Sequence, residues 1–232
     1  MKLFFLHIPK TGGASFHNYM SKNYYNSSSS IDIDGINNNN NIDCGRLVKT
    51  DFISGHFNFI DVEHMLCDYK FVTIFRNILD RCISWYRYSR ACITSAVCVE
   101  NKIISFEDMF NSTNAMNLKY VHNQMMWMLG NNVNLNKRNI SEKECLIRAK
   151  ENLHKFSDIL FFDDLENNVN SFLVSNYKVV HGSFPHLNST RKIDDPLWCD
   201  VELNDKIISK VQECNKYDIE LYNYAKELKK NE

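Results

Sequence analysis

Leu3-Phe4-Phe5-Leu6-His7-Ile8-Pro9-Lys10-Thr11-Gly12-Gly13-Ala14-Ser15 is the stretch on which the reading of the chain turns. Residues 2–7 are a short apolar run closed by a Pro- and Gly-bearing turn, which predicts a buried strand. A helix is expected from Ser15 to about Lys22. Glycines at the end of a strand let the backbone fold tightly round a ligand. The helix start that follows offers unpaired N–H groups and the positive end of its dipole. Lys10 adds a point charge, and the hydroxyls of Thr11 and Ser15 add donors, a set suited to a phosphate or phosphosulfate. Two glycines alone fit an ordinary tight turn. The strand before, the helix after and the lysine together favour an anion site. The pattern is not the ATP-binding GxxxxGK[ST], because Lys10 precedes the glycines.

Working outward, Lys70 to Phe75 is a second apolar run rich in β-formers, followed by a helical pattern through about Arg90. There Ile78, Cys82 and Trp85 share one face. Ser105 with Asp108, and Ser141 with Glu144, are capping boxes that start two more helices, the second continued by Leu146, Ala149 and Leu153. Asp158 to Phe162 reads as a third strand, with Val169, Phe172 and Leu173 on the helix after it. One last helix is expected from about Asn204, its face drawn by Ile207, Val211, Cys214, Leu221, Ala225 and Leu228. The stripe Met125, Met126, Trp127 and Met128 reads as core or the wall of a groove, with core the default. Strands alternating with helices predict an α/β, P-loop-like three-layer fold with a mostly parallel sheet between helices. Residues 26–43, with Ser27 to Ser30 and Asn37 to Asn41, read as an exposed low-complexity loop within a single domain spanning 1–232.

The 232 residues suffice for a sizeable core, and 44% hydrophobic with 24% charged residues excludes a disordered chain. No run approaches the roughly 18 apolar residues of a membrane helix, so stable membrane insertion is not expected. A net charge of −1 argues against a nucleic-acid binder. The first apolar run is too short for a signal peptide and lacks a small-residue cleavage site. The chain therefore reads as cytoplasmic, or as the soluble form of something whose anchor is missing. The eight cysteines include no CxxC pair and read as buried free thiols of a reducing compartment.

At the residues of the first turn the sequence resembles a known family. His7 to Gly13 is similar to the 5′-phosphosulfate loop of carbohydrate sulfotransferases that use 3′-phosphoadenosine 5′-phosphosulfate, PAPS. Phe71-Val72-Thr73-Ile74-Phe75-Arg76, followed by Arg81, Ser84, Trp85, Tyr86, Arg87 and Tyr88, resembles the family's 3′-phosphate strand and helix. Ser54-Gly55-His56-Phe57 resembles the His-bearing segment of heparan sulfate 2-O-sulfotransferases. Asn188 to Arg191 and Tyr222 to Lys226 look more like 6-O-sulfotransferases. Two positions depart from the pattern: Asn77-Ile78 stands where Asp-Pro follows the arginine, and Ala14 where Ser or Thr follows the glycines.

The resemblance implies transfer of a sulfuryl group from PAPS to a hydroxyl of a carbohydrate acceptor, a glycan, glycolipid or polysaccharide. Lys10 would neutralise the leaving oxygen, and the backbone of Thr11, Gly12, Gly13, Ala14 and Ser15 would hold the 5′ end. Arg76 and Ser84 would take the 3′-phosphate, and Thr190 and Arg191 would close over the nucleotide. His56 is the candidate base, its neutral form being available near neutral pH. No metal is required if the lysine and helix dipole supply the positive field. Arg76 also fits a helix cap or a pair with Asp80, but the strand–Arg–helix–Ser order favours the phosphate. His7 reads as support for the loop, and Asn123 and Gln124 stand open between a sugar contact and packing. Two other readings remain, a nucleotide kinase with an unusual loop and a non-catalytic module that binds nucleotide or glycan.

Overall fold

The computed structural model describes residues 1–25, 29–33, 49–92, 98–99, 102–112, 120–131, 140–178, 183–185 and 201–230. Its strands are β1 (Leu3–Leu6), β2 (Ser30–Ile33), β3 (Phe52–Gly55), β4 (Lys70–Phe75), β5 (Cys98–Val99), β6 (Lys102–Ile103) and β7 (Phe156–Phe161). Five of them form a wholly parallel sheet in the order β2-β3-β1-β4-β7, while β5 and β6 pair as a separate antiparallel hairpin.

β1 is the centre of the sheet because every one of its side chains is apolar and fully buried. Strand periodicity divides them: Phe4 and Leu6 enter the core on one face, Leu3 and Phe5 the core on the other. Burying each such side chain contributes about 1.5–3 kcal/mol. On β4, Phe75 joins the first core and Val72 and Ile74 the second. Thr73 is the polar exception, and its hydroxyl donates to the Leu6 carbonyl at 2.9 Å. The β4–β7 register shifts between Phe71 and Val72, where Ser157 is passed over and donates its hydroxyl to Phe71 O at 2.9 Å.

Helices α1 (Gly13–Asn23) and α7 (Leu165–Tyr177) cover the second face through Phe16, Tyr19, Met20, Val169, Phe172 and Leu173. The first face carries α2 (Phe59–Val62), α3 (Ile78–Ala91), α4 (Phe106–Asn111), α5 (Gln124–Gly130), α6 (Glu142–Leu153), α8 (Asp205–Cys214) and α9 (Lys216–Lys230). The result is the expected α/β sandwich of three layers. Ser105 and Ser141 cap α4 and α6, accepting from the N–H of Asp108 at 3.0 Å and of Glu144 at 3.2 Å. The Met125–Met128 stripe is buried. Among the described residues no helix is long and apolar enough to cross a membrane.

Three expectations are corrected. Ser30 to Ile33, inside the segment read as loop, is the edge strand β2, because its backbone pairs with β3. The last helix is broken in two at Asn215, whose side chain accepts from the Asn123 N–H at 3.0 Å. The thiols are not uniformly buried: Cys82 and Cys145 are, whereas Cys67 and Cys92 are exposed.

β1 pairs with β3 on one side and β4 on the other, so the chain crosses over β1 between these two strands. Such a crossing opens a crevice outside the carboxyl ends of the strands. Among the described residues, four segments leave the sheet at those ends: His7 to Ser15 after β1, His56 after β3, Arg76 after β4 and Phe162 after β7.

Candidate functional site

The loop after β1 is set by two glycines with different duties. Gly12 sits at φ 89°, the left-handed region, as the residue before α1. A Cβ there would also come within 3.0 Å of the Phe162 ring. Gly13 is needed for proximity: a Cβ would fall 2.0 Å from the His7 ring. The Gly12 carbonyl accepts from the N–H of Ser15 at 3.1 Å and of Phe16 at 3.2 Å. Among the described residues the N–H groups of Gly13 and Ala14 have no acceptor, and they open the positive end of α1.

Thr11 is fully buried and its hydroxyl donates to Ile8 O at 2.8 Å. That side chain braces the loop, so the expected hydroxyl contact to a ligand is withdrawn and only its backbone remains for that purpose. Ser15 is buried as well.

Lys10 has φ 69°, an uncommon conformation for a residue with a side chain. The turn aims its carbonyl at Arg76, whose Nη1 donates to it at 3.1 Å. One hydrogen bond thus ties the loop after β1 to the end of β4. The Lys10 ammonium lies 4.1 Å over the ring of Tyr88. Burial, and then the Arg76 guanidinium, push the Lys10 amine down to about 8, with Cys92 opposing.

Arg76 is half-buried, and its guanidinium lies 4.0 Å over the Phe162 ring. Burial is the main influence lowering its pKa, countered by Asp80 and Asp163. Its Nε is buried and has no hydrogen-bond partner among the described residues, a donor left over beside the loop. Asn77 begins α3 by accepting from the N–H of Leu79 at 3.0 Å and of Asp80 at 3.4 Å. The departure from Asp-Pro therefore preserves the helix start, since Asn is itself a strong capping residue. Ser84 is half-buried on α3, one turn before Tyr88 and on the same side of the helix.

His56 follows β3, and its Nδ1 is 2.6 Å from the His7 carbonyl. A carbonyl only accepts, so Nδ1 carries a proton, and in the neutral form of the ring the lone pair is on Nε2. The His7 ring lies 4.4 Å from the His56 ring and stacks on Phe5 at 5.5 Å. Burial first, then His56, His17 and Lys10, hold His7 well below the usual histidine range. His7 is thus a neutral wall between β1 and the candidate base, the support that the sequence suggested. His17 on α1, which the sequence did not single out, lies 2.7 Å from the Ser54 hydroxyl and fixes the end of β3.

Asn123 and Gln124 lie elsewhere. They are 4% and 3% exposed, so the side chains have no surface to offer a sugar. Asn123 Oδ1 accepts from the N–H of Tyr217 and Asp218, each at 3.1 Å. Gln124 Oε1 accepts from Arg81 at 2.7 Å. Arg81 and Asp218, both fully buried, form an ion pair at 3.8 Å. Asp218 also accepts from the N–H of Met125 and Met126 at 3.1 and 2.8 Å. This network joins α3, α5 and α9. Tyr222 donates to Asp163 at 2.6 Å, tying α9 to the turn that carries Phe162. Thr190 and Arg191 lie outside the described residues.

The arrangement gathers two cations, a helix start with spare donors, a guanidinium N–H without a partner among the described residues and an imidazole held through Nδ1 at one end of the sheet. A family model described as "Sulfotransferase family" matches residues 1–225. No curated protein matches the sequence. Among solved structures the chain is similar to mouse sulfotransferase SULT7A1 complexed with PAP, at 14% identity and a TM-score of 0.40. The likeness covers 92% of this chain and 63% of the mouse one.

Proposed function

The chain belongs to the sulfotransferase family, and we propose on that footing that it moves a sulfuryl group from PAPS to a hydroxyl of a carbohydrate acceptor. The observation that supports the reading is the Arg76–Lys10 bond, which ties the end of β4 to the loop that leads into α1. The residues fit a donor with two anionic ends. The N–H groups of Gly13 and Ala14 with Lys10 would hold the 5′ end. The orphaned Nε of Arg76 and the Ser84 hydroxyl would take the 3′-phosphate. By the family resemblance, Thr190 and Arg191 would complete the nucleotide site.

PAPS supplies a sulfuryl group attached to a phosphate leaving group. The protein's part is to align reactants and to stabilise the charge that grows on the departing oxygen. Lys10 meets that charge with its ammonium, and the α1 dipole reinforces it. His56 accepts the acceptor's hydroxyl proton at Nε2 as the new O–S bond forms and the S–O bond to phosphate breaks. Its tautomer is set beforehand by the His7 carbonyl. Burial and its neighbours keep His7 neutral beside it.

Incubation with sulfate-labelled PAPS and a panel of neutral and acidic glycans tests this. The expected result is a glycan that gains one labelled sulfate, lost in Lys10→Ala. Label that never reaches a sugar, with PAP bound, would reduce the protein to a nucleotide-binding module. Stabilisation by ATP but not by PAP in a thermal-shift assay would point to a kinase instead.

A further inference from the structure

We propose that Tyr88 is the positioning residue for Lys10, its ring face holding the ammonium charged and aimed over the anion loop. The proposal builds on the sulfotransfer reading of the site, but its first test does not depend on it. Lys10 Nζ stands 4.1 Å from the ring, within the range of a cation–π contact. Among the described residues no carboxylate and no hydrogen-bond acceptor reaches that nitrogen. Among the described residues the ring is thus the group in direct contact with the ammonium that stabilises it.

The groups around Lys10 explain why such a neighbour is needed. Arg76 from the end of β4 repels the ammonium, and His7 on the same loop faces it as a neutral imidazole. Cys92, at the end of α3, acts in the opposite sense by favouring the charge. Burial works against the charge more strongly than any of these. A carboxylate beside Lys10 would restore the proton but would also bring negative charge into a crevice meant for an anion. An aromatic face stabilises the cation through its quadrupole while adding no net charge. That difference gives an aromatic residue at this place a reason beyond packing.

Both ends of the Lys10 side chain are then held. Its backbone is fixed by the bond from Arg76, and its tip rests on Tyr88. The ring itself is steadied on α3 by Trp85, with centroids 5.8 Å apart. At 41% exposure it lies at the rim, where an ammonium remains accessible to a ligand.

Competitive amine labelling of the full chain across pH, read by peptide mass spectrometry, gives the titration midpoint of Lys10 without any nucleotide. Tyr88→Leu is expected to lower that midpoint by about half a unit to one and a half units, the span of a cation–π contact. Tyr88→Phe, which keeps the ring face, is expected to leave it in place. A midpoint unmoved in Tyr88→Leu would overturn the proposal, as would a fall in Tyr88→Phe equal to that in Tyr88→Leu. Calorimetry of PAP binding over the same pH range supplies the second reading. The pH at which affinity declines should drop in Tyr88→Leu by the same amount as the midpoint. An unshifted decline beside a shifted midpoint would refute the link between ring and ligand. Failure of the wild type to bind PAP at all would instead strike the donor reading and leave the labelling result to decide the role of Tyr88.

Discussion

Gly13→Ala tests whether the anion loop and the candidate base are one mechanical unit. An added Cβ would meet the His7 ring at 2.0 Å from Cδ2, 2.3 Å from Nε2 and 2.6 Å from Cγ, whereas ordinary contact begins at 3.4 Å. The ring must retreat by about 1.4 Å, yet it is hemmed in by Phe5 at 5.5 Å and His56 at 4.4 Å. Gly13 is not at positive φ, so alanine meets no backbone penalty there and even gains helix propensity, about 1 kcal/mol at most. Overpacking of this kind costs about 1–3 kcal/mol. At about 2–4 °C per kcal/mol for a chain of this size, Tm should fall by a few degrees to about 10 °C. Displacing His7 also moves the carbonyl and ring that position His56, and a shift near 1 Å in a site costs on the order of 10² in rate. The assay is a thermal melt beside single-turnover sulfate transfer. His7→Ala with Gly13→Ala should recover stability relative to the sum of the single changes, because the clash has no second partner. A Gly13→Ala protein that melts and turns over like the wild type, or strict additivity in the double mutant, would refute the reasoning.

The remaining predictions concern charge and proton transfer. His56→Ala should lower the transfer rate by about 10²–10⁴ with PAP affinity little changed, measured by single turnover and calorimetry; a loss below tenfold assigns the base elsewhere. PAP affinity should decline as pH rises through about 8, because the amine of Lys10 is depressed to that value and only its charged form attracts an anion. A flat profile up to pH 9, measured calorimetrically, would remove Lys10 from the binding site. Asp218→Ala should destabilise the fold by about 3–5 kcal/mol, since it strands the buried Arg81 guanidinium and the N–H groups of Met125 and Met126. Denaturant titration checks this, and replacing both partners, Arg81→Met with Asp218→Leu, should recover the part of the loss due to the stranded guanidinium while the N–H groups of Met125 and Met126 stay without their acceptor.

What the sequence reveals of this molecule divides along the range of the forces involved. β1, β4 and the helix after it are legible because their patterns are local: apolar runs, a glycine turn, periodic faces. The caps at Ser105 and Ser141 are legible for the same reason. β3 is four residues long and ends in Ser54-Gly55, too short for alternation to emerge, and β2 lies in polar surroundings. Both are strands because neighbours pair with them. The break at Asn215 is hidden because apolar spacing continues across it, while the bond that fixes it reaches Asn123, 92 residues away. Distance in the chain also concealed the burial of Asn123 and Gln124, whose partners lie on α3 and α9. Thr11 shows the opposite case, a purely local bond to Ile8 that residue type alone does not disclose. Phe162, which packs on both Gly12 and Arg76, carried no signal because an aromatic after a strand is ordinarily core.

The central claim is that the ends of β1 and β4 form one crevice with two holds for anions. Calorimetry comparing PAP with adenosine 5′-phosphate, which lacks the 3′-phosphate, tests it most directly. The wild type should prefer PAP by about 10- to 100-fold, the worth of a hydrogen bond to a charged group, and Arg76→Ala should erase the preference. Equal affinity for the two nucleotides, or a preference that survives Arg76→Ala, would contradict it.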